Sequence, residues 1–428
     1  MERPFFIVSL TFFVFLYGFF TRHTGIFPSE EIIGAGREAR DLLGGSKPHH
    51  LFPFVHDREG VTVSDEDGMA DGVTLLTSYW PDFDWRAGIR LVDAAGVTLH
   101  VWKTDSTEVF AGHSAENLQQ DEYVHGTYLF PNGDVIFNIE MRGVARIDAC
   151  GTVKWALPNR SHHSIALTED GNFWIAGVEG HFAETAEDRA YVRQFTGLKT
   201  PLYEDLLRKI SPDGEVLQEI SVLKTLYDNG LQRYLAKHNH RAGDVTHLND
   251  IEPLPAALAA QYPLFEAGDL VVSLKFTHLV LVMDPETGKV KWHTSDPIIE
   301  QHDPDFTGDG WITIFDNNSD FSARGQMLGG SRIISVRPHT GETEQWYPVE
   351  GARPFYTFAG GKWQHLDNGN MLITEARAGR VFEATREGEI VWEWIHTPYD
   401  DELIPEVLEA TRYAFTPAQI AEWDCSPD

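Results

Sequence analysis

One hairpin recurs six times along this chain, and that repeat limits the possible folds more than any other feature. In each copy an apolar strand ends in Asp or Pro, turns on a glycine, and resumes as a second strand that usually ends in Trp. The copies run Ile89–Trp102, Ala145–Trp155, Leu207–Ile220, Leu281–Trp292, Ile334–Trp346 and Val381–Trp394, turning at Gly96, Gly151, Gly214, Gly288, Gly341 and Gly388. Successive turn glycines lie 55, 63, 74, 53 and 47 residues apart, room for one four-stranded antiparallel unit each. A single unit cannot cover both of its faces, so the units must pack on one another. Six of them predict an all-β chain, a six-bladed β-propeller; a plain antiparallel sandwich would not produce one repeated hairpin. The Trp-bearing strands are expected to dock neighbouring blades.

The other hairpin of each unit repeats as well, and it carries imidazoles. HGTYLFPNGD starts at His125, HSIALTEDGN at His163 and HDPDFTGDGW at His302, and each histidine precedes its turn glycine by eight residues. HLNDIEPLP places His247 before a comparable strand, and an insertion delays its Gly268; in the last unit Gly361 takes the equivalent place. Residues at one repeat position share a radius and a height in a propeller. These four histidines are therefore expected to form a partial ring at the axial channel, the default ligand site of such a fold. Buried imidazoles cost desolvation unless partnered, which argues against simple filler, although hydrogen-bonded packing is the alternative for each one.

The ends of the chain carry different signals. Phe5 to Phe20 reads FFIVSLTFFVFLYGFF without a charge, and sixteen residues at 1.5 Å rise cover about 24 Å of a roughly 30 Å apolar layer. No small-residue cleavage pattern follows, so residues 1–25 are expected to form an uncleaved membrane anchor, a transmembrane helix. Residues 26–72 are expected as a short helix and linker, and 73–428 as the propeller with a C-terminal helical tail, on the non-cytoplasmic (periplasmic or extracellular) side. Short peripheral helices are expected too: Ser221–His238 has helical apolar spacing, and Thr416-Pro417-Ala418-Gln419 is a capping box.

Several functions are excluded. With 34 Lys plus Arg against 65 Asp plus Glu, the net charge of −31 rules out nucleic acid as a partner held by a basic face. Two cysteines, Cys150 and Cys425, allow at most one bridge and have no C-x-x-C spacing. No phosphate-cradling G-x-x-x-x-G-K-[ST] loop and no G-x-S-x-G nucleophile turn is present. Asp303, Asp305 and Asp309 echo the acidic loop of calcium binders, but are expected as solvent-facing turn carboxylates.

Three strings, HLNDIEPLP (247–255), QHDPDFTGDGWITIFDN (301–317) and WQHLDNGNMLITEARAGRVFEATREGEIVWEW (363–394), resemble the PAPS-independent arylsulfotransferase family. The similarity runs from about Trp80 to Trp423. It implies an envelope propeller in which a histidine attacks the sulfur of an aryl sulfate, carries the sulfuryl group covalently and passes it to an acceptor phenol. The resemblance implies small aryl sulfate and phenolic substrates and no metal or nucleotide cofactor. His302 matches the family's histidine before FDN, His247 the histidine of HLND, and Arg324 the arginine after FDN, with Arg332 second. The nucleophile is expected near the last blades, where His365 lies an even offset from Gly361 and so on the same strand face. With His125 and His163 these residues make up the candidate catalytic set. A neutral imidazole is a competent nucleophile, a second one can protonate a departing phenoxide, and an arginine fork fits sulfuryl oxygens. Two other readings compete: a four-histidine Fe(II) oxygenase, and a non-catalytic, quinoprotein-like scaffold suggested by DPETGKVKW.

Overall fold

The computed structural model describes residues 50–111, 123–181, 186–195, 198, 201–235, 243–320 and 322–423. Each of the six repeated hairpins becomes the third and fourth strands of a four-stranded antiparallel sheet. All six turn glycines have φ between 69° and 89°, the left-handed region that side chains disfavour. Blade 2, for example, consists of Val124–Leu129, Val135–Ile139, Gly143–Ile147 and Val153–Leu157, and blade 3 of Ser161–Leu167, Phe173–His181, Leu202–Ile210 and Val216–Ser221. Blades 4, 5 and 6 begin with Leu248–Pro253, His302–Gly308 and Lys362–His365. These first strands touch one another in order round a closed ring, which makes them the inner strands.

The ring closes at both ends of the chain. The inner strand of blade 1 is Glu409–Tyr413, from the C-terminus, paired with Val73–Trp80. Gly60–Ser64, from the N-terminal side, adds a fifth strand to the outer edge of blade 6 by pairing with Ile390–Ile395. Leu51–Pro53 pairs in addition with Leu403–Pro405. Part of the stretch expected as linker is therefore strand, because an open blade edge would present unpaired N–H and C=O groups.

Burial follows position in the blade. Second strands such as Val73–Trp80 and Val135–Ile139 are buried at every residue, since neighbouring blades cover both faces. Outer strands such as Val153–Leu157 are largely open. Tryptophans join the blades as expected: Trp155 Nε1 donates to Pro212 O at 2.8 Å and Trp392 Nε1 to Ala94 O at 2.9 Å, each reaching the hairpin turn of the next blade. Trp363 is fully buried with its ring 5.8 Å from that of Trp346.

Both peripheral helices form within the described residues. Val222–Asp228 is capped by the Ser221 side chain and buries Val222, Leu223 and Leu226 against blades 3 and 4. Pro417–Ile420 has the expected Thr416–Gln419 capping box. No helix among the described residues is long and apolar enough to cross a membrane. The apolar run at residues 5–20 lies outside them. Cys150 is disulfide-bonded; Cys425 also lies outside them.

Trp363→Ala should destabilise the protein by about 3–5 kcal/mol, the usual cost of emptying a buried aromatic site. A lower urea midpoint at unchanged slope would show this, and an unchanged midpoint would contradict the inter-blade packing.

Candidate active site

Inner strands of blades 2 to 5 do not pair regularly. A bulge interrupts each one, between Val124 and Thr127, His162 and Ile165, Leu248 and Asp250, and His302 and Pro304. His163, His247 and Asp303 have φ of 53°, 53° and 47°, so the backbone is bent into the left-handed region beside three of these bulges. The bends are tied by side chains from neighbouring blades. Asn138 donates to His163 O at 2.6 Å, Asn249 to Gln301 O at 2.8 Å, and Trp363 Nε1 to Asp303 O at 2.9 Å. Gly126 is needed here because a Cβ at that position would lie 1.9 Å from His163 O.

The bends bring the four repeat-position histidines together. Ring centroids of His125 and His163 are 3.9 Å apart, and those of His163 and His247 5.1 Å. His302 is buried, and its basicity is lowered well below the ordinary histidine value, by burial first and then by Lys275, with smaller contributions from His247 and His125. His163 is lowered in the same way by burial and by the charges of His125, His162, His247 and His302. The four imidazoles thus share one environment.

Three of the four rings are oriented by different residues. His302 Nδ1 lies 2.6 Å from Asn317 Oδ1, which gives the FDN element a role the sequence did not assign. His247 Nδ1 donates to Asp244 Oδ2 at 2.6 Å, and its ring stacks on Phe276 at 4.4 Å. His125 Nδ1 is 3.1 Å from Glu140 Oε2. Burial raises the Glu140 carboxyl, but the hydrogen bond and charge of His125, with His162 and His247, outweigh it and hold it below the usual range.

Of the histidines that the repeat did not single out, His162 belongs to the cluster and His50 adjoins it through Tyr123, whose ring is 5.7 Å from that of His125. His162 Nδ1 lies 2.8 Å from His163 Nδ1, and the adjacent pair His162-His163 was the available signal. His50 sits against Tyr79 and Tyr123 with Nδ1 3.1 Å from Glu406. It comes from a segment without repeat spacing, so no pattern marked it.

His365 and Arg324 do not join the ring. Lys362 and Gln364 reach the inner strand of blade 1, at Glu409 and the Arg412 carbonyl, so the odd positions Trp363 and His365 face the gap between blades 5 and 6. His365 is exposed, 5.5 Å from the Trp346 ring. The even offset from Gly361 misleads because that glycine precedes the strand, and Lys362 sets its parity. Arg332, the second arginine candidate, is engaged with Asp316 at 2.7 Å.

Arg324 instead lines a cavity of about 760 Å³ with Phe52, Arg353, Tyr356, Phe358 and Arg377. Arg377 lies 3.9 Å over the Phe358 ring and 4.5 Å over Phe52. Apart from Phe52, which comes from the N-terminal strand Leu51–Pro53, these cavity residues follow the second strands of blades 5 and 6 or precede the first strand of blade 6. Antiparallel order puts those positions at the same end of the propeller as the histidines.

Farther along the inner strands the channel turns acidic. Asp250 and Glu252 of blade 4 and Asp303 and Asp305 of blade 5 alternate along their strands and interact across the axis with Lys362 of blade 6, which pairs with Glu409 at 2.9 Å. Asp303 and Asp305 are channel groups, not the solvent-facing turn carboxylates expected, because the strand begins before them and not after. Burial pushes Glu252 up to about 8 and Asp303 to about 6, against the pull of Lys362. Asp250 is also raised well above the usual carboxylate range, by burial and then by Asp303 and Glu252.

The sequence profile of the arylsulfotransferase (ASST) family matches residues 126–397. This chain belongs to the arylsulfotransferase family. No curated protein matches the sequence at a significant level. Similar solved structures include a Bacteroides caccae protein of unknown function, 12% identical over 78% of this chain and 99% of that one, with a TM-score of 0.49. A streptogramin B lyase is 15% identical over 81% and 87%, with a TM-score of 0.41. A catalytically inactive virginiamycin B lyase from Staphylococcus aureus, solved with quinupristin, is 13% identical over 67% and 74%, with a TM-score of 0.37.

The acidic layer makes stability depend on pH in a defined direction. A carboxyl raised in the fold holds a proton that the unfolded chain releases, so its contribution is complete below about pH 4.5 and is lost as pH rises through about 8 for Glu252. The melting temperature should therefore fall between pH 5 and pH 9. Glu252→Gln, neutral throughout, should raise it at pH 9 and flatten the profile; a profile identical to wild type would refute the assignment.

Proposed function

We propose that this arylsulfotransferase family member moves a sulfuryl group from an aryl sulfate to a phenolic acceptor, with His302 as the nucleophile. The observation that supports this most is the orientation of His302. Asn317 donates its two amide N–H groups to Thr357 O and Gly360 O at 2.8 and 2.7 Å, so its Oδ1 is the atom left to face the imidazole. The Nδ1 of His302 therefore carries the proton, and Nε2 keeps a lone pair. Burial and the nearby Lys275 keep the ring neutral, as a nucleophile must be.

His247 suits the role of general acid and base. The Asp244 carboxylate fixes its Nδ1–H and steadies the imidazolium form, leaving Nε2 for proton exchange. In the first half-reaction Nε2 of His302 attacks sulfur, the bond from sulfur to the aryl oxygen breaks, and the departing phenoxide takes a proton from His247. In the second, His247 removes the proton of the acceptor phenol, whose oxygen attacks sulfur. The nitrogen–sulfur bond then breaks, and its electron pair returns to His302. Buried Lys275 supplies positive charge near the transferred group. The aromatic cavity with Arg324, Arg353 and Arg377 offers a place for the rest of an aromatic anion. Such local cations are necessary in a protein whose net charge of −31 repels anions.

We further propose that the apolar run at residues 5–20 anchors the chain in a membrane with the propeller on the non-cytoplasmic side. The disulfide at Cys150 is in keeping with an oxidising compartment.

Incubation with a chromogenic aryl sulfate and a phenol tests the chemistry. His302→Ala and His247→Ala should lower kcat/KM by about 10²–10⁴-fold, and His365→Ala should change it by less than about twofold, as expected away from the reacting groups. Full turnover in His302→Ala would remove it from the mechanism. No turnover in wild type with any aryl sulfate would favour the scaffold reading.

A further inference from the structure

The transfer outlined above leaves His125, His163 and Glu140 without a chemical role. Their arrangement is nonetheless specific. Glu140 Oε2 lies 3.1 Å from His125 Nδ1 and 3.7 Å from His163 Nδ1. One donor atom from each of the three residues lies within 4.8 Å of the other two, and among the described residues this is the group so placed. Three ligands bonded at about 2.0–2.2 Å to a tetrahedral metal stand roughly 3.4 Å apart. The two measured separations bracket that value.

We propose that His125, Glu140 and His163 bind a divalent transition-metal ion, with zinc the foremost candidate. Two imidazoles and a carboxylate form a donor set suited to zinc, iron or nickel, whereas calcium and magnesium take oxygen donors. The backbone holds these donors before any ion arrives. His125 and His163 stand in the bulges of adjacent inner strands, and Glu140 directly follows the second strand of blade 2. Asn138 joins all three places: it lies two residues before Glu140, its Nδ2 donates to His163 O, and its Oδ1 accepts from Gly126 N beside His125. Such preorganisation is what a metal site requires of its supporting residues.

A simple ion pair accounts for less of the geometry. One carboxylate oxygen paired with one histidine needs no second ring, yet here rings from two blades converge on the same oxygen at a centroid separation of 3.9 Å. His162 Nδ1 lies 2.8 Å from His163 Nδ1, the nitrogen that faces Glu140, so a bound ion would take the place of that contact. Three protein ligands leave at least one coordination position for water or an oxyanion, and His247 adjoins His163 at 5.1 Å. The proposal does not depend on sulfuryl transfer, and the family resemblance alone would not suggest a metal.

The test uses tag-free, full-length protein stripped of metal by chelation. It is titrated with Zn²⁺ by calorimetry and with Co²⁺ by absorption spectroscopy. One ion per chain is expected, with Zn²⁺ displacing Co²⁺ and abolishing its absorption. Glu140→Gln and His163→Ala should each weaken Zn²⁺ binding about 100-fold or more, since loss of a mere outer-shell partner already costs 10–100-fold. His100→Ala, remote from the cluster and bonded to Ala149 O, should bind as wild type does. Absence of stoichiometric binding, or equal binding by wild type and both ligand variants, would overturn the proposal. If a variant fails to fold, the wild-type Co²⁺ spectrum decides: a spectrum identical to that of the hexa-aqua ion also overturns it.

Discussion

Everything polar on the inward faces of six inner strands must find its partner along one narrow axis, away from bulk water. That constraint follows from ring closure, and the rest of the site depends on it. A straight inner strand would send alternate side chains into the axis in even layers. The bulges of blades 2 to 5 break that regularity at one end, where the left-handed residues His163, His247 and Asp303 redirect the chain. Backbone strain of this kind persists only where the surroundings enforce it. Here the enforcement comes from the side-chain amides of Asn138 and Asn249 and the indole of Trp363, which capture carbonyls at or next to the bends.

Two chemically distinct layers result. Imidazoles collect where the bulges are, three of them fixed by different partners: an amide for His302, an aspartate for His247, a glutamate for His125. Carboxylates collect farther along, where Asp250, Glu252, Asp303 and Asp305 face Lys362. Low dielectric strengthens every interaction in the channel and equally penalises each charge left without compensation. The same burial that keeps His302 neutral therefore drives the acidic layer toward protonation. One physical cause gives the two layers opposite-looking shifts, because in both cases it disfavours the charged form.

Local pattern made the blades and much of the histidine ring legible. The turn glycines marked the outer hairpins, since a tight turn there demands positive φ. The eight-residue offset between histidine and glycine identified His125, His163 and His302, because equal spacing within equal hairpins means equal height in the ring. The capping box at Thr416 was legible for the same local reason. The closing strand Glu409–Tyr413 was not, as it forms no hairpin with its sequence neighbours and pairs with Val73–Trp80 some 330 residues away. Glu140 and His50 were also unmarked, one lying just past a strand end and the other before the first repeat.

Sequence alone determined which residues turn, which alternate, and how many times the unit repeats, because those properties are set by φ preference and by side-chain spacing within a few residues. It also placed the chain with the arylsulfotransferases through HLND and FDN. Only the tertiary structure decided which face of a strand meets the axis, as His365 shows: a single residue of parity sends it to the gap between blades, while Lys362 takes the channel. The same holds for the tautomer of His302, which depends on Asn317 being committed to carbonyls 40 and 43 residues away. Parity, bulges and proton positions are settled by contacts between distant segments, and those contacts exist only once the ring has closed.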